Sequence, residues 1–174
     1  MPSLSSFALR PATSSDRPVL ERLWLMFRHD LSEFRGVLPG PDGTFRSDRL
    51  EAAFRDPDWA PYLLTLGDQP VGLALVRGLT GRTRVLSGFF IVRGLRRQGV
   101  GLRAVRQLVE QYPGPWRVAF QDHNEPAARF WRRVAEELAG GAWTLERVAV
   151  PDRPDLPPDV WIQFTADGPS RPLR

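Results

Sequence analysis

The chain has no cysteine and no lysine: all 24 of its basic residues are arginine, and only two histidines accompany them. Without cysteine there can be no disulfide framework and no thiolate metal site, and we assign the chain no metal. No apolar run approaches the ~20 residues of a membrane-spanning helix, and residues 1–6 lack the basic and apolar regions of a secretory signal. The expectation is a cytoplasmic protein without a membrane partner.

The composition is that of one folded domain. The hydrophobic fraction of 42% excludes general disorder, and 174 residues are enough for a single core. We expect one domain over residues 1–174, with loose ends at residues 1–6 and 165–174. The arginines face 20 acidic residues, which leaves a net charge of +4 and argues against nucleic-acid binding. Because arginines cluster between residues 93 and 106, a nucleic-acid-binding protein stays as a weak alternative.

The most informative segment passes from a predicted strand through a basic glycine loop into a predicted helix. The β-type run of residues 89–92 precedes Arg96-Arg-Gln-Gly-Val-Gly101, and helical periodicity continues to Tyr112. Unpaired N–H groups at a helix N-terminus attract anions, and the arginines add positive charge. Gly99 and Gly101 would leave room for a phosphate. For the glycine pair alone an exposed helix cap is the simpler interpretation, but the flanking strand, helix and arginines favour a phosphate site.

This loop resembles the acyl-CoA motif R-x-x-G-x-G of the GNAT superfamily of N-acetyltransferases. A second segment resembles the family's N-x-x-A-x-x-F-Y pattern, with Asn124, Ala127 and Phe130 matching and Trp131 in the place of tyrosine. The resemblance implies that acetyl-CoA is the co-substrate and that the loop N–H groups bind its pyrophosphate. The implied cofactor-binding residues are Phe89, Phe90, Ile91, Arg96, Arg97, Gln98, Gly99, Val100, Gly101, Leu102, Asn124, Ala127 and Trp131.

The remaining patterns predict a mixed α/β fold. Strands are predicted at residues 7–10, 62–66, 71–76, 84–92, 116–120, 143–150 and 160–164. Helices are predicted at residues 13–31, 47–54, 100–112 and 125–138. This order suits a mixed sheet with helices on both faces. The resemblance implies a GNAT-like, mostly antiparallel sheet of about seven strands, splayed at the cofactor site and flanked by about four helices.

Acetyl transfer to an amine requires a base, because an amine of lysine type is mostly protonated at neutral pH. It also requires N–H donors for the negative charge that develops on the acyl oxygen. By the resemblance these donors come from residues 89–91 of the splayed strand, with Phe90 and Ile91 as the named contacts.

The sequence departs from the family's usual equipment at two points. Many relatives carry a carboxylate on the central strand or on the next one, where this chain has Gly88 and Ala119. Relatives also commonly have a tyrosine that protonates the departing thiolate at the position of Trp131. Since indole has only an N–H donor and no proton to release at physiological pH, Trp131 cannot replace that acid.

A base must therefore come from elsewhere. The end of the first long helix gathers His29, Asp30 and Glu33, of which His29 and Glu33 share a helix face. For any one of them taken alone, a solvated surface is the preferred interpretation. Asp122 and His123 are further candidates.

The predicted function is an acyl-CoA-dependent N-acetyltransferase that transfers acetyl directly to the amine of a small-molecule or peptide acceptor. By resemblance, substrate choice resides in residues 28–46, and a homodimer is compatible with the sequence. The alternative is a non-catalytic acyl-CoA-binding sensor or interaction module of the same fold, consistent with the missing carboxylate and tyrosine.

Overall fold

A single seven-stranded sheet runs through residues 4–166, the part of the chain that this computed structural model describes. The strands are β1 Phe7–Pro11, β2 Trp59–Leu66, β3 Gln69–Arg77, β4 Arg84–Ile91, β5 Gly114–Gln121, β6 Trp143–Val148 and β7 Asp159–Ala166. The α-helices are α1 Arg17–Arg35, α2 Asp48–Arg55, α3 Val100–Gln111 and α4 Glu125–Ala139. Elements therefore follow one another in the predicted order, and the mixed α/β fold is confirmed.

The sheet has the strand order β1-β2-β3-β4-β5-β7-β6, and every neighbouring pair is antiparallel except β4 and β5. The parallel pair is short: only Arg84, Val85 and Leu86 of β4 have partners on β5. Both strands continue beyond this pairing, to Ile91 and Gln121, without pairing with each other. The predicted splay of the central strand is therefore present, and it begins after Leu86.

Helices cover both faces of the sheet, because apolar side chains alternate between the faces along the strands. On one face α1 and α2 pack Leu20, Leu23, Trp24 and Leu50 against β2, β3 and β4. On the other face α3 and α4 bury residues such as Val105 and Val134. Residues 71–76 of β3 are buried without interruption, as expected for a strand that is covered on both sides.

Local chemistry sets the helix ends next to the splay. Asn124 caps α4 by accepting a hydrogen bond from the N–H of Ala127 at 3.2 Å, and Pro126 occupies the first turn. Gly36 ends α1 in the left-handed conformation, with φ 61°. The C-terminal end of α1 thus stops beside the gap between β4 and β5.

The structure corrects the predicted loose ends. Thr165 and Ala166 continue β7 opposite Pro115 and Gly114, and Ala166 is buried, because β5 extends far enough to pair with them. Residues 4–6 form a one-turn 3₁₀ helix, while the remaining residues of both predicted ends lie outside the described part. Strand β6 ends at Val148, two residues before its predicted end. Between residues 4 and 166, no helix is both long and apolar enough to cross a membrane.

Candidate functional site

A cleft of about 760 Å³ opens where β4 and β5 separate. Its walls come from residues 86–91 of β4, residues 118–121 of β5, the C-terminal end of α1, and the first turns of α3 and α4. Its lining combines aromatic and aliphatic side chains with the arginines Arg49, Arg93, Arg96, Arg97, Arg129 and Arg133. The cleft can therefore take a ligand that has both apolar and anionic parts.

The backbone of β4 is open to the cleft at alternate residues. Val92 donates its N–H to the carbonyl of Val71 in β3 at 2.9 Å. The carbonyl of Phe90 also faces β3, because a Cβ added to Gly72 would lie only 2.2 Å from the Phe90 oxygen. On the other side, the carbonyls of Ile91 and Ser87 accept side-chain bonds from outside the β3 ladder. Since the direction alternates along an antiparallel strand, the N–H groups of Phe89 and Ile91 face the cleft.

This alternation corrects the predicted oxyanion contacts. The N–H of Ile91 is available, as predicted, but the N–H of Phe90 points with its carbonyl toward β3. The N–H of Phe89, the neighbouring residue, faces the cleft instead. The Phe90 ring still lines the cleft, where it packs on the α1 side against Phe27 at 6.0 Å between ring centroids.

The loop between β4 and α3 has the shape of an anion-binding site. Arg97 and Gly99 both have positive φ, 63° and 79°, which turns successive backbone N–H groups toward one side. The first N–H groups of α3 follow, and these have no intrahelical partners. Gln98 fastens the loop through a hydrogen bond to the Gly94 carbonyl at 2.8 Å. The side chain of Val100 is buried in the core, so only its backbone can meet a ligand.

The two glycines of the loop have roles that differ from the predicted one, which was to leave room for a phosphate. Gly99 is needed for its left-handed conformation, and no atom lies within 4 Å of where its Cβ would be. A Cβ on Gly101 would lie 2.9 Å from Cε2 of Phe130. Gly101 therefore lets α3 pack closely against α4, and the expectation that its missing side chain makes room for phosphate is corrected.

Aromatic rings form the middle of the cleft. Phe89 stacks on Phe130 at 5.9 Å and meets Trp131 edge-on at 5.5 Å. Trp131 is 6% exposed, and none of the residues from 4 to 166 accepts a hydrogen bond from its indole N–H. Ala127 and Leu102 also line this region. Asn124 reaches the cleft too, but its side-chain oxygen is already occupied as the cap of α4.

A parallel strand pair that separates beside an anion-binding loop is an arrangement shared with known proteins. Residues 23–135 match the model of the Acetyltransferase (GNAT) family. The chain belongs to the GNAT acetyltransferase family. Among curated proteins the chain has no match.

Solved structures support the same fold at low sequence identity. An acetyltransferase from Thermus thermophilus superposes with a TM-score of 0.68 at 21% identity, over 95% of this chain and 99% of that one. The ribosomal L7/L12 α-N-protein acetyltransferase in complex with coenzyme A gives 0.65 at 14% identity, over 97% and 98%. A GNAT acetyltransferase from Elizabethkingia anophelis with acetyl-CoA bound gives 0.64 at 8% identity, over 92% and 98%. GNAT enzymes use acetyl-CoA as their co-substrate.

In this GNAT site, the surroundings of each acidic group determine whether it can act as the base. Asp30 lines the cleft but is ion-paired with Arg93 at 2.8 Å and with Arg96. Burial alone would raise the pKa of Asp30, but hydrogen bonds from Arg96 and Arg93 outweigh it and lower the pKa below its usual value. Such a carboxylate is a weak base, and its geometry suits the task of holding the two loop arginines.

Glu33 is the other acidic residue that lines the cleft, and it makes no hydrogen bond or ion pair with any residue between 4 and 166. His29 is exposed and does not line the cleft, which contradicts its predicted place in the site, although it shares a helix face with Glu33, which lies one turn closer to the C-terminal end of α1. Of the predicted candidates on α1, Glu33 alone is both in the cleft and unpaired.

Asp122 and His123 are engaged elsewhere. Asp122 forms an ion pair with Arg147 at 3.1 Å, and Nε2 of His123 lies 2.7 Å from the carbonyl of Phe34. His123 therefore ties the end of α1 to the start of α4 and does not face the cleft. A Cβ at Gly88 would lie 3.3 Å from Cγ of Leu75, so a carboxylate side chain at this position of the GNAT chain would require Leu75 to shift by a few tenths of an ångström.

The polar cleft residues that were not among the predicted ones are Arg49, Ser87, Arg93, Gln121, Arg129 and Arg133. Arg49 of α2 donates to the carbonyl of Ser87 at 2.9 Å, and both residues line the cleft where β4 and β5 begin to diverge. Neither belongs to a recognisable motif: Arg49 occupies an ordinary exposed position of a short helix. Only the packing of α2 over the sheet brings it to the site.

Proposed function

We propose that this GNAT protein transfers the acetyl group of acetyl-CoA to an amine acceptor by direct attack of the amine. One observation carries the proposal. The edge of β4 presents the N–H groups of Phe89 and Ile91 to a cleft that begins at an anion-binding loop. Donors fixed in a partly closed cleft stabilise negative charge far better than donors in water do.

The residues of the cleft fit acetyl-CoA along its whole length. Backbone N–H groups at the start of α3, with Arg96 and Arg97, would hold the pyrophosphate. The open edge of β4 offers alternating N–H and C=O groups to the amides of the pantetheine arm. Phe89, Phe130 and Trp131 would pack against its apolar parts. When bound, acetyl-CoA supplies the acetyl group as a thioester.

Glu33 is the residue that we assign to proton removal. It lines the cleft and makes no hydrogen bond or ion pair with any residue from 4 to 166, although it is close enough to Arg93 for their charges to interact. Its carboxylate can therefore take a proton from the amine directly or through a water molecule. Phe89 and Ile91 act at the same time through their N–H groups, which donate to the acyl oxygen as it gains negative charge. The indole N–H of Trp131, which has no acceptor among residues 4–166, can donate to a group in the cleft.

A non-catalytic acyl-CoA-binding module is the second candidate function. The neutral positions 88 and 119 and the indole at position 131 favour it, because none of these groups can transfer a proton. Both candidates predict binding of acetyl-CoA, so only turnover distinguishes them. Because the arginines of the cleft lie beside a CoA-type loop, nucleic acid is not part of either proposal.

The experiment has a binding arm and a turnover arm. Acetyl-CoA at a hundred times its dissociation constant should stabilise the fold by about 2.7 kcal/mol, a rise in melting temperature of roughly 5–10 °C. Arg97→Gln should weaken this shift, while Arg132→Gln, on the exposed side of α4, should leave it unchanged. Mass spectrometry of amine pools incubated with acetyl-CoA and enzyme should reveal an acetylated product. Binding without any product in such pools would favour the non-catalytic module.

A further inference from the structure

A second group of arginines lies around the end of the cleft opposite the anion-binding loop, where Arg49 lines the cleft and the others lie close to it but outside the lining. Arg49 reaches the carbonyl of Ser87, and Arg77 donates to the hydroxyl of the same serine at 2.8 Å. Arg28 of α1 is close enough to Arg49, Arg46 and Arg35 for their charges to act on it. We call these residues the distal arginines: Arg28, Arg35, Arg46, Arg49 and Arg77.

Carboxylates balance this group only in part. Arg35 is ion-paired with Asp159, and Arg46 with Asp48. Arg28, Arg49 and Arg77 have no ion pair with any residue from 4 to 166. The charges of Asp48, Asp159 and Asp58 act on Arg28, Arg49 and Arg77 respectively. Five arginines against these three carboxylates still leave an excess of positive charge, which favours the binding of an anion.

Arg28 is the most constrained of the three. Its guanidinium lies over the ring of Trp24, 5.9 Å from the centroid, and its Nε is buried without a hydrogen-bond partner in the described chain. Burial lowers the pKa of Arg28, and the nearby distal arginines lower it further. Because the Nε atom is buried, an anion would bind at the terminal nitrogens of the guanidinium and supply the negative charge that the group lacks.

The place of the distal arginines in the cleft separates them from the CoA phosphates. Four residue steps along β4 lead from Ile91, beside the loop, to Ser87, a distance of about 13 Å. The phosphates of acetyl-CoA belong at the Ile91 end, where the loop N–H groups and Arg96 are. The Ser87 end is left for the acceptor.

We propose that the acceptor is an amine that also carries a carboxylate or phosphate group, and that Arg28 and Arg49 bind this group. The inference rests on the proposed acetyl transfer, because it assigns the substrate class of the same site. Arginine matches both oxyacids through paired hydrogen bonds from its planar guanidinium. The ammonium end of such an acceptor would be drawn toward Glu33, while a purely cationic amine would be repelled by the distal arginines.

The test compares amines in matched pairs, with and without the anionic group. Amino acids are paired with their carboxamides, and phosphoethanolamine with ethanolamine, at saturating acetyl-CoA. We expect kcat/KM to be roughly 10- to 100-fold higher for the anionic member, the effect of one or two charge-assisted hydrogen bonds. A preference in the first pairs identifies a carboxylate acceptor, and a preference in the second identifies a phosphate acceptor.

Substitutions of single arginines test which side chains bind the anionic group of the acceptor. Arg28→Gln should raise KM for the anionic amine by roughly 10- to 100-fold and leave KM for acetyl-CoA unchanged. Arg49→Gln should do the same, with some further loss because Arg49 also supports Ser87. The control is Arg22→Gln, which removes the same charge from the exposed side of the same helix and should change neither constant.

Each outcome decides between the two proposals. Acetylation without preference for anionic amines overturns the anionic acceptor and leaves acetyl transfer standing. An equal rise of KM for acetyl-CoA in Arg28→Gln would assign the distal arginines to the CoA and overturn the inference as well. Without turnover of any amine, calorimetry on CoA-saturated protein decides: binding of anionic amines that Arg28→Gln abolishes supports the anion site although acetyl transfer fails. With neither turnover nor binding, both proposals fail.

Discussion

Gly101 of α3 packs directly on the ring of Phe130 of α4, with so little space that a single added carbon would lie 2.9 Å from the ring. The ring cannot move away freely, because it is stacked on Phe89 and meets Trp131 edge-on, with 4.7 Å between the ring centroids. This contact joins the R-x-x-G-x-G loop to the N-x-x-A-x-x-F segment. The two motifs thus meet in space, and the second glycine of the first motif is a requirement of helix packing.

Gly101→Ala should therefore lower the free energy of unfolding by about 1–3 kcal/mol, the usual cost of overpacking, although alanine is the better helix former. In a Phe130→Leu background the same change should cost less, because the smaller side chain leaves room. Chemical denaturation of the four proteins measures the coupling. Equal costs in both backgrounds would show that Phe130 is not what restricts position 101.

Asp30 should contribute to stability in a pH-dependent way. Its pKa is lower in the folded protein than in the unfolded chain, so its contribution is fully present above the ordinary carboxylate pKa of about 4. The contribution is lost as the pH falls through the folded-state pKa, because Asp30 then takes up a proton and releases Arg93 and Arg96. Asp30→Asn should be less stable than the parent at pH 7, and the difference should shrink toward pH 3. A difference independent of pH would contradict this linkage.

Glu33 and His29 provide a matched pair for the proposed base. Glu33→Gln should lower kcat by about 10²–10⁴-fold, because the amide cannot accept a proton. His29→Gln, four residues earlier on α1 but outside the cleft, should leave kcat unchanged. Acetyl-CoA thermal shifts of both variants report whether the cofactor site is intact. Full activity of Glu33→Gln would show that Glu33 is not the base.

The sequence predicted the order of strands and helices because each is marked by its own periodicity and by turn residues such as Pro113 and Gly140. It also predicted the loop before α3, since a motif is local. The direction of individual N–H groups on β4 was not predictable, because it depends on the register with β3. That register shifts where Leu75 pairs with Gly88 but Val76 pairs with Leu86, which leaves Ser87 as an extra residue.

The distal arginines were equally out of reach for sequence reasoning. Arg28, Arg49 and Arg77 belong to α1, α2 and β3, and each occupies a position where a solvated arginine would be ordinary. Long-range packing of both helices on one face of the sheet brings them together. The predicted base at the end of α1 failed in part for the same reason: the arginines that occupy Asp30 come from the loop after β4.

The indole N–H of Trp131 should contribute to turnover, and the packing of its ring should contribute separately to cofactor binding. Trp131→Phe keeps an aromatic ring against Phe89 but removes the donor that has no partner in the described chain. We expect the acetyl-CoA thermal shift to change little and kcat to fall by no more than about tenfold, the size of one neutral hydrogen bond. A much larger loss of kcat, with the thermal shift retained, would make the indole N–H a principal contributor to turnover.

The sharpest test of the β4 edge replaces backbone N–H groups one at a time. Proline removes a backbone donor, and it is tolerated in a strand only where that donor is not part of the ladder. Ile91→Pro should therefore fold, since the Ile91 N–H faces the cleft, whereas Phe90→Pro should unfold the protein by breaking the pairing with Leu73.

In folded Ile91→Pro we expect kcat to fall by about 10²–10³-fold, as for the loss of one oxyanion donor. Ile91→Ala loses the side chain but keeps the N–H, so it corrects for the packing lost at this buried position. If Ile91→Ala were as slow as Ile91→Pro, the N–H would have no role; if Phe90→Pro folded and Ile91→Pro did not, the assigned alternation of β4 would be reversed.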